Sequence, residues 1–150
     1  MKTIFSIIVI LSIFLMISCG KKDYEYKKDQ YIENKSGHDL TLKLYDLNSS
    51  ASAILNDSIF LSNNSISPSI LTEYFESKGI TPFSDVQNHK ILADSIVVVF
   101  NDNKQLYYNR FTPNRNIFKL EYYSEIMKDN NIKYIYTISS DDYQNAIPGK

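Results

Sequence analysis

The chain has 150 residues, with 16 Lys and Arg against 17 Asp and Glu and a formal net charge of -1. This near balance provides no basic field that would attract nucleic acid. One cysteine, two histidines and four glycines argue against an internal disulfide, a zinc cage and a glycine-rich phosphate loop. The composition therefore favours one globular domain with no cofactor and no metal.

The first eighteen residues have the pattern of a targeting segment. Lys2 precedes an uncharged apolar run over residues 4–17, interrupted only by two serines. A membrane-spanning helix needs about 20 apolar residues, whereas the apolar part of a secretory signal needs roughly 7–15. The run therefore predicts a signal peptide over residues 1–18, with a short uncleaved membrane anchor as the alternative.

The apolar run closes with Met16-Ile17-Ser18-Cys19, which contains the only cysteine of the chain. This tetrapeptide resembles the lipobox of bacterial lipoproteins, although Met16 stands where leucine is usual. In that family the cysteine receives diacylglycerol before the signal peptide is removed. The resemblance implies a lipid anchor on Cys19, and several acyl chains at about 0.8 kcal/mol per buried CH2 would hold the protein stably at a membrane.

The residues after Cys19 bear on the destination of the protein. Gly20 occupies the position where lipoproteins retained in the inner membrane usually carry aspartate, so the resemblance implies the outer membrane. Lys22-Asp23 is similar to the surface-export signal of some outer-membrane lipoproteins, which leaves the periplasmic and the surface-exposed face both open. Residues 19–30 are polar and charge-mixed, which predicts a flexible tether. Residues 31–150 then form a single β-rich domain.

The first part of this domain is predicted to contain three strands. They cover residues 31–34, 39–45 and 54–61. In the second strand Leu40, Leu42 and Leu44 alternate with polar residues, so one of its faces is expected to be buried.

Residues 68–78 predict one short helix instead. Ser67 is a capping residue type, Pro68 suits a first helical turn, and Gly79 stands where a helix would end. Apolar residues fall on one side of this helix, at positions 70, 71, 74 and 75.

Residues 93–108 predict a hairpin. The run from Ile96 to Phe100 is apolar without alternation, which is typical of a central strand covered on both faces. Asn101-Asp102-Asn103 lacks the glycine and the distal glutamate of an EF-hand, so we expect a simple turn there.

The last part of the chain is less uniform. Residues 116–127 are ambiguous between helix and strand, whereas residues 132–138 predict a strand with Tyr134 and Tyr136 on the same face as isoleucines. Residues 139–146 combine capping residues with acidic residues, which is typical of a terminal helical turn. The chain is therefore predicted to be mainly β, an antiparallel sheet or small β-sandwich with one or two short helices.

This order of segments, from lipobox and charged tether to short strands, resembles the small lipoproteins of outer-membrane bacteria. The resemblance brings no activity with it. Asp57-Ser58-Ile59 and Asp94-Ser95-Ile96 also resemble the O-glycosylation acceptor of one large group of these bacteria. Ser58 and Ser95 are therefore candidate acceptors, and the start of a strand is the alternative interpretation of both tripeptides.

Two function hypotheses remain open. The first is a non-enzymatic domain that binds an envelope or extracellular protein or glycan, or serves a structural role; exposed tyrosines among the 12 of the chain would suit such a surface. The second is an envelope hydrolase or glycan-processing enzyme that uses carboxylates such as Asp85, Asp94 and Asp102. His38 and His89 lack an accompanying nucleophile motif, so no catalytic residue is assigned.

Overall fold

Strands account for most of the domain. The computed structural model describes residues 25–47, 53–75, 79–85 and 90–149. The strands are, in chain order, β1 (Tyr26–Lys35), β2 (Leu40–Leu47), β3 (Ala53–Leu61), β4 (Leu71–Phe75), β5 (Ser84–Asp85), β6 (Lys90–Ile91), β7 (Ser95–Phe100), β8 (Lys104–Asn109), β9 (Ser124–Lys128), β10 (Asn131–Ser139) and β11 (Ile147–Pro148). A 3-10 helix (Leu120–Tyr122) precedes β9, and an α-helix, α1 (Ser140–Asn145), follows β10.

The strands form two main sheets that pack against each other. Sheet A has the order β4-β1-β10-β9, and sheet B has the order β11-β8-β7-β2-β3. The pairing of β1 with β10 is parallel, and the other pairings within these sheets are antiparallel. A small third sheet joins β5 to β6. The mainly β fold predicted from the sequence is confirmed, with the arrangement of a small β-sandwich.

The core lies between sheets A and B. Sheet B contributes the predicted buried face of β2, and the same alternation places Ile96, Val98 and Phe100 of β7 inside. Sheet A contributes Ile32 of β1 together with residues of β10. Burying each of these side chains stabilises the folded domain by about 1.5–3 kcal/mol. The shared core therefore holds the two sheets together.

The chain crosses from sheet A to sheet B through a corner built around Asn34, which is fully buried. Its Nδ2 donates to the carbonyl oxygens of His38, Leu61 and Ser62 at 2.9, 3.1 and 3.0 Å. Its Oδ1 accepts from the backbone and hydroxyl of Ser36. Gly37 follows with φ of 90°, a value that glycine adopts without steric cost. One amide side chain therefore satisfies backbone groups of two neighbouring segments, residues 36–38 and residues 61–62.

The predicted boundary between tether and domain at residue 31 is wrong, because β1 already begins at Tyr26. Lys28 is only 1% exposed: its Nζ donates to the Gly79 carbonyl at 2.9 Å and lies 4.7 Å from the centre of the Phe75 ring. Asp29 on the opposite face accepts from Thr72 and Lys27. Lys28 and Asp29 had the pattern of a solvated tether because Gly79, Phe75 and Thr72, which they contact, are distant in the sequence.

The helix predicted over residues 68–78 is also wrong. Residues 71–75 form β4, in which Leu71 and Glu73 are buried while Thr72 and Tyr74 are exposed, a period of two. The Ser67 hydroxyl does not cap a helix but accepts from the Ile32 backbone N–H at 3.0 Å. Pairing with β1 has overridden the local helical signals. Residues 76–78 lie outside the described part of the chain.

The structure confirms the remaining predicted elements in the second half. β7 and β8 form the hairpin, β10 is the last long strand, and Tyr134 and Tyr136 are buried on it. The terminal helical turn is α1, with a capping box between Ser139 and Asp142. The ambiguous segment 116–127 contains the 3-10 helix and most of β9.

Candidate functional site

The predicted modification residues have different surroundings. Cys19, the signal peptide over residues 1–18 and residues 19–24 of the predicted tether lie outside the described residues. Ser58 is exposed on β3, at the edge of sheet B, and its backbone N–H donates to its neighbour Asp57 at 2.7 Å. Ser95 is only 5% exposed at the start of the central strand β7. Ser58 is therefore accessible in the folded domain, whereas Ser95 is not.

Asp94 and Asp102, the two carboxylates of the enzyme hypothesis whose side chains the structure describes, do not come together as a pair. Asp94 and Asp102 lie beyond opposite ends of β7, whose six residues span about 20 Å at about 3.3 Å per residue. Glycoside hydrolysis requires two carboxyl groups about 5–10 Å apart. Asp94 instead lies 3.7 Å from Arg110 Nε. The side chain of Asp85 is outside the described part.

His38 and Asp102 both contact Tyr143, a residue that the sequence by itself did not indicate as part of a site. The Tyr143 ring stacks on His38 with 3.7 Å between ring centroids, and its hydroxyl donates to Asp102 Oδ2 at 2.6 Å. Lys104 Nζ lies 4.2 Å from the same ring centre. The hydrogen bond from Tyr143 lowers the pKa of the Asp102 carboxyl and raises the pKa of the Tyr143 hydroxyl. These contacts hold α1 against the β7–β8 turn, and the hydroxyl is already engaged as a donor. His89 lies outside the described ranges.

The outer face of sheet B presents an apolar surface to solvent. We define this sheet B face by two adjacent cross-strand rows of paired residues. The first row is Phe60, Thr41, Val99, Gln105 and Ile147, and the second is Ser58, Lys43, Val97 and Tyr107. Phe60, Tyr107 and Ile147 are 65%, 60% and 69% exposed. Lys43 is the only charged residue in the two rows.

The sheet B face corrects one sequence prediction, the coverage of β7 on both faces. β7 is central in its sheet, as predicted, but it is not covered on both faces, because Val97 and Val99 are only partly buried. Their apolar character therefore extends the surface between Phe60 and Tyr107. The tyrosines fall into two groups: Tyr107 is exposed, whereas Tyr134 and Tyr136 belong to the interior.

Within residues 25–47, 53–75, 79–85 and 90–149, no group of three or more His, Cys, Asp and Glu side chains could hold a metal ion. No helix in these same ranges has the length and hydropathy required to cross a membrane. Searches of protein-family models, curated proteins and solved structures found no match to this chain.

Proposed function

We propose that this protein is a lipid-anchored lipoprotein of the bacterial outer membrane and that its β domain binds a protein partner through the sheet B face. The tetrapeptide at residues 16–19 supports the anchor. The exposed apolar residues of the sheet B face carry the binding part of the proposal. The domain acts as a binding module, not as an enzyme.

The chemistry of the sheet B face suits a protein partner. Contiguous exposed apolar surface on a soluble domain is typical of an interaction site, and large aromatic residues supply much of the binding energy at such sites. Tyr107 pairs with Val97, which lies two residues from Val99 on the same face, and Thr41 of β2 lies between Val99 and Phe60. Burying this surface against a partner is favourable by about 25 cal/mol per Å² of apolar area.

The connection to the anchor is short. β1 begins at Tyr26, seven residues after Cys19, and seven residues span at most about 25 Å even when fully extended. A lipid on Cys19 would therefore keep the amino-terminal end of β1 close to the membrane surface. The partner would be met at the membrane, in the periplasm or outside the cell.

Metabolic labelling with a palmitate analogue tests the anchor. We expect the natural chain to incorporate label and the Cys19→Ser chain to incorporate none. The matched control is the double variant Cys19→Ser/Ser62→Cys, which carries a thiol on an exposed loop of the domain and should not be labelled. Label in either variant, or none in the natural chain, would contradict lipidation of Cys19. Protease treatment of intact cells then separates a surface-exposed domain, which is digested, from a periplasmic one.

Site-specific photo-crosslinking in cells tests the binding surface. A benzophenone side chain introduced at Phe60 or Tyr107 should give adducts of the same mass with the partner. The control position is Asn101, which is exposed in the β7–β8 turn and should give no such adduct. The absence of adducts at positions 60 and 107, or equal adducts at all three, would overturn the binding proposal and leave the anchor proposal unaffected.

Glycosylation of Ser58 would bear directly on this surface. Ser58 lies in the second row beside Lys43, so a sugar there would cover part of the sheet B face. The intact mass of the purified protein should exceed the mass of its Ser58→Ala variant by a sugar mass, and Ser95→Ala should retain that excess. A mass difference equal to one oxygen atom would exclude modification of Ser58.

A further inference from the structure

A second surface, on the opposite side of the sandwich, has different chemistry. The outer face of sheet A contains a groove of about 510 Å³. We define this lysine-rimmed groove by Tyr31, Ile66, Ile126, Ile135, Lys128 and Lys133. From the geometry of this groove we propose that it binds a single acyl chain that carries an anionic headgroup, a phosphate or a carboxylate, presented as a monomer.

The floor of the groove is apolar and runs across the strands. Ile126 is on β9, Ile135 on β10 and Tyr31 on β1, and Ile66 pairs with Glu33 beyond β1. Three neighbouring spacings of about 4.8 Å give this floor a length of about 14 Å. Its direction across the strands does not match a peptide added along a sheet edge, which would run parallel to the strands. A flexible hydrocarbon chain fits such a floor.

The charges around the groove favour an anion. Asp29 and Glu33, the carboxylates of β1 on this face, are each 2.9 Å from the lysine two residues away on the same strand, Lys27 and Lys35. Among the described residues, neither Lys128 nor Lys133 takes part in an ion pair. Lys133 Nζ lies 5.6 Å from the centre of the Tyr31 ring. Asp29 is the cross-strand neighbour of Lys133, but its carboxylate pairs with Lys27. Two ammonium groups therefore stand beside an apolar floor, and neither forms an ion pair with a described residue.

A sugar suits this groove less well than an amphiphile. Sugar recognition relies on several hydrogen-bonding side chains that fix orientation. Apart from the two lysines and the Tyr31 hydroxyl, Asn131 is the only polar side chain among the lining residues. Apolar burial combined with a charge-assisted hydrogen bond to an ammonium group instead matches an acyl chain with an anionic head.

The test is a titration of the full lipoprotein in phosphatidylcholine nanodiscs, with its isoleucine methyl groups labelled for NMR. Dodecyl phosphate is added below its micellar concentration. We expect saturable shifts at Ile126, Ile135 and Ile66, and none at Ile54 of β3 on sheet B. Inorganic phosphate and dodecyltrimethylammonium should each fail to reproduce these shifts. If either reproduces them, or if none of the three methyl groups shifts, the proposal is overturned.

The two lysines provide the matched variants. Lys128→Gln/Lys133→Gln should weaken dodecyl phosphate binding by about tenfold or more. Lys90→Gln/Lys119→Gln removes the same charge at two lysines that do not line the groove and should leave the affinity unchanged. Equal affinities of the two double variants would overturn the assignment. The assignment is also overturned if the protein binds vesicles of anionic phospholipid through the two groove lysines but does not bind monomeric dodecyl phosphate. The lysines would then serve a bilayer surface. None of these outcomes depends on a partner at the sheet B face, and lipidation of Cys19 is tested separately by the labelling experiment.

Discussion

Asp142 shows how one side chain can serve two structural roles. It is buried in the first turn of α1, where its carboxylate accepts from the Ser139 backbone N–H at 2.8 Å and from the Ser139 hydroxyl at 2.9 Å. The same carboxylate accepts from Arg115 Nε and Nη2 at 2.9 and 2.7 Å. Arg115 in turn donates to the Thr137 carbonyl of β10. The helix cap thus also fixes the 110–119 loop to sheet A.

Asp142→Ala should lower the free energy of unfolding by about 2–3 kcal/mol, because it removes the carboxylate half of the capping box and leaves Arg115 with only the Thr137 carbonyl as acceptor. Urea denaturation followed by circular dichroism measures this change. Asp141→Ala is the matched control: Asp141 is exposed in the same turn and should cost less than about 1 kcal/mol. Equal losses in the two variants would show that Asp142 has no role beyond helix charge.

The buried tyrosines should lower the stability of the domain at alkaline pH. Burial raises the pKa of Tyr136 to about 12, and burial also raises the pKa values of Tyr108 and Tyr123. The unfolded chain releases these protons near pH 10, whereas the folded chain keeps them, so stability must fall as pH rises above about 10. The slope is about 1.4 kcal/mol per pH unit for each such tyrosine.

Tyr136→Phe should therefore flatten this alkaline decline. At neutral pH the variant should lose about 1 kcal/mol, because the Arg115 carbonyl no longer accepts from the Tyr136 hydroxyl. Urea midpoints measured between pH 7 and pH 11.5 give both quantities. Parallel curves for the variant and the natural protein above pH 10 would contradict the assignment of the decline to Tyr136.

At the scale of elements, the corner between β1 and β2 depends on the donor group of Asn34. Asn34→Asp replaces that donor by a carboxylate facing three carbonyl oxygens, so we expect a loss of about 2–4 kcal/mol at neutral pH. Asn63→Asp is the control, because Asn63 uses its side-chain oxygen to accept from Gly37 and that acceptor is retained. The midpoint temperature of thermal unfolding should be far lower for Asn34→Asp than for Asn63→Asp. Similar midpoints in the two variants would contradict this account.

Elements with strong local alternation were predictable, and elements defined by distant pairing were not. In β2 and β10 the buried side chains fall at every second residue, and this alternation is visible in the sequence. β4 begins after Ser67 and Pro68, which are typical of a helix start, and only its pairing with β1 makes it a strand. Lys28 and Asp29 near the start of β1 are likewise polar, and they are buried through contacts with Gly79, Phe75 and Thr72.

At the scale of the whole molecule, the shared core should make the domain unfold as one unit. Ile32 in sheet A and Leu42 in sheet B are both fully buried in the same cluster. Ile32→Ala and Leu42→Ala should each cost about 2–5 kcal/mol. In both variants the urea transitions seen by circular dichroism and by tyrosine fluorescence should still coincide. Thr41→Ala, on the partly exposed outer face of β2, should cost much less.

Separate transitions for the two sheets would show that they are independent units. The same conclusion would follow if Ile32→Ala lowered the urea midpoint seen by only one of the two signals, circular dichroism or tyrosine fluorescence.

The sequence by itself determined the mainly β fold, the alternating strands, the hairpin and the terminal helical turn, because periodicity, turn residues and capping residues act between near neighbours. It also supplied the lipobox-like tetrapeptide around Cys19. Only the tertiary structure decided the parallel pairing of β1 with β10, whose partners Lys27 and Asn131 are 104 residues apart (131 − 27). The two candidate surfaces arise in the same way. The sheet B face and the lysine-rimmed groove each combine single residues from several strands, and strand register, a long-range property, brings those residues together.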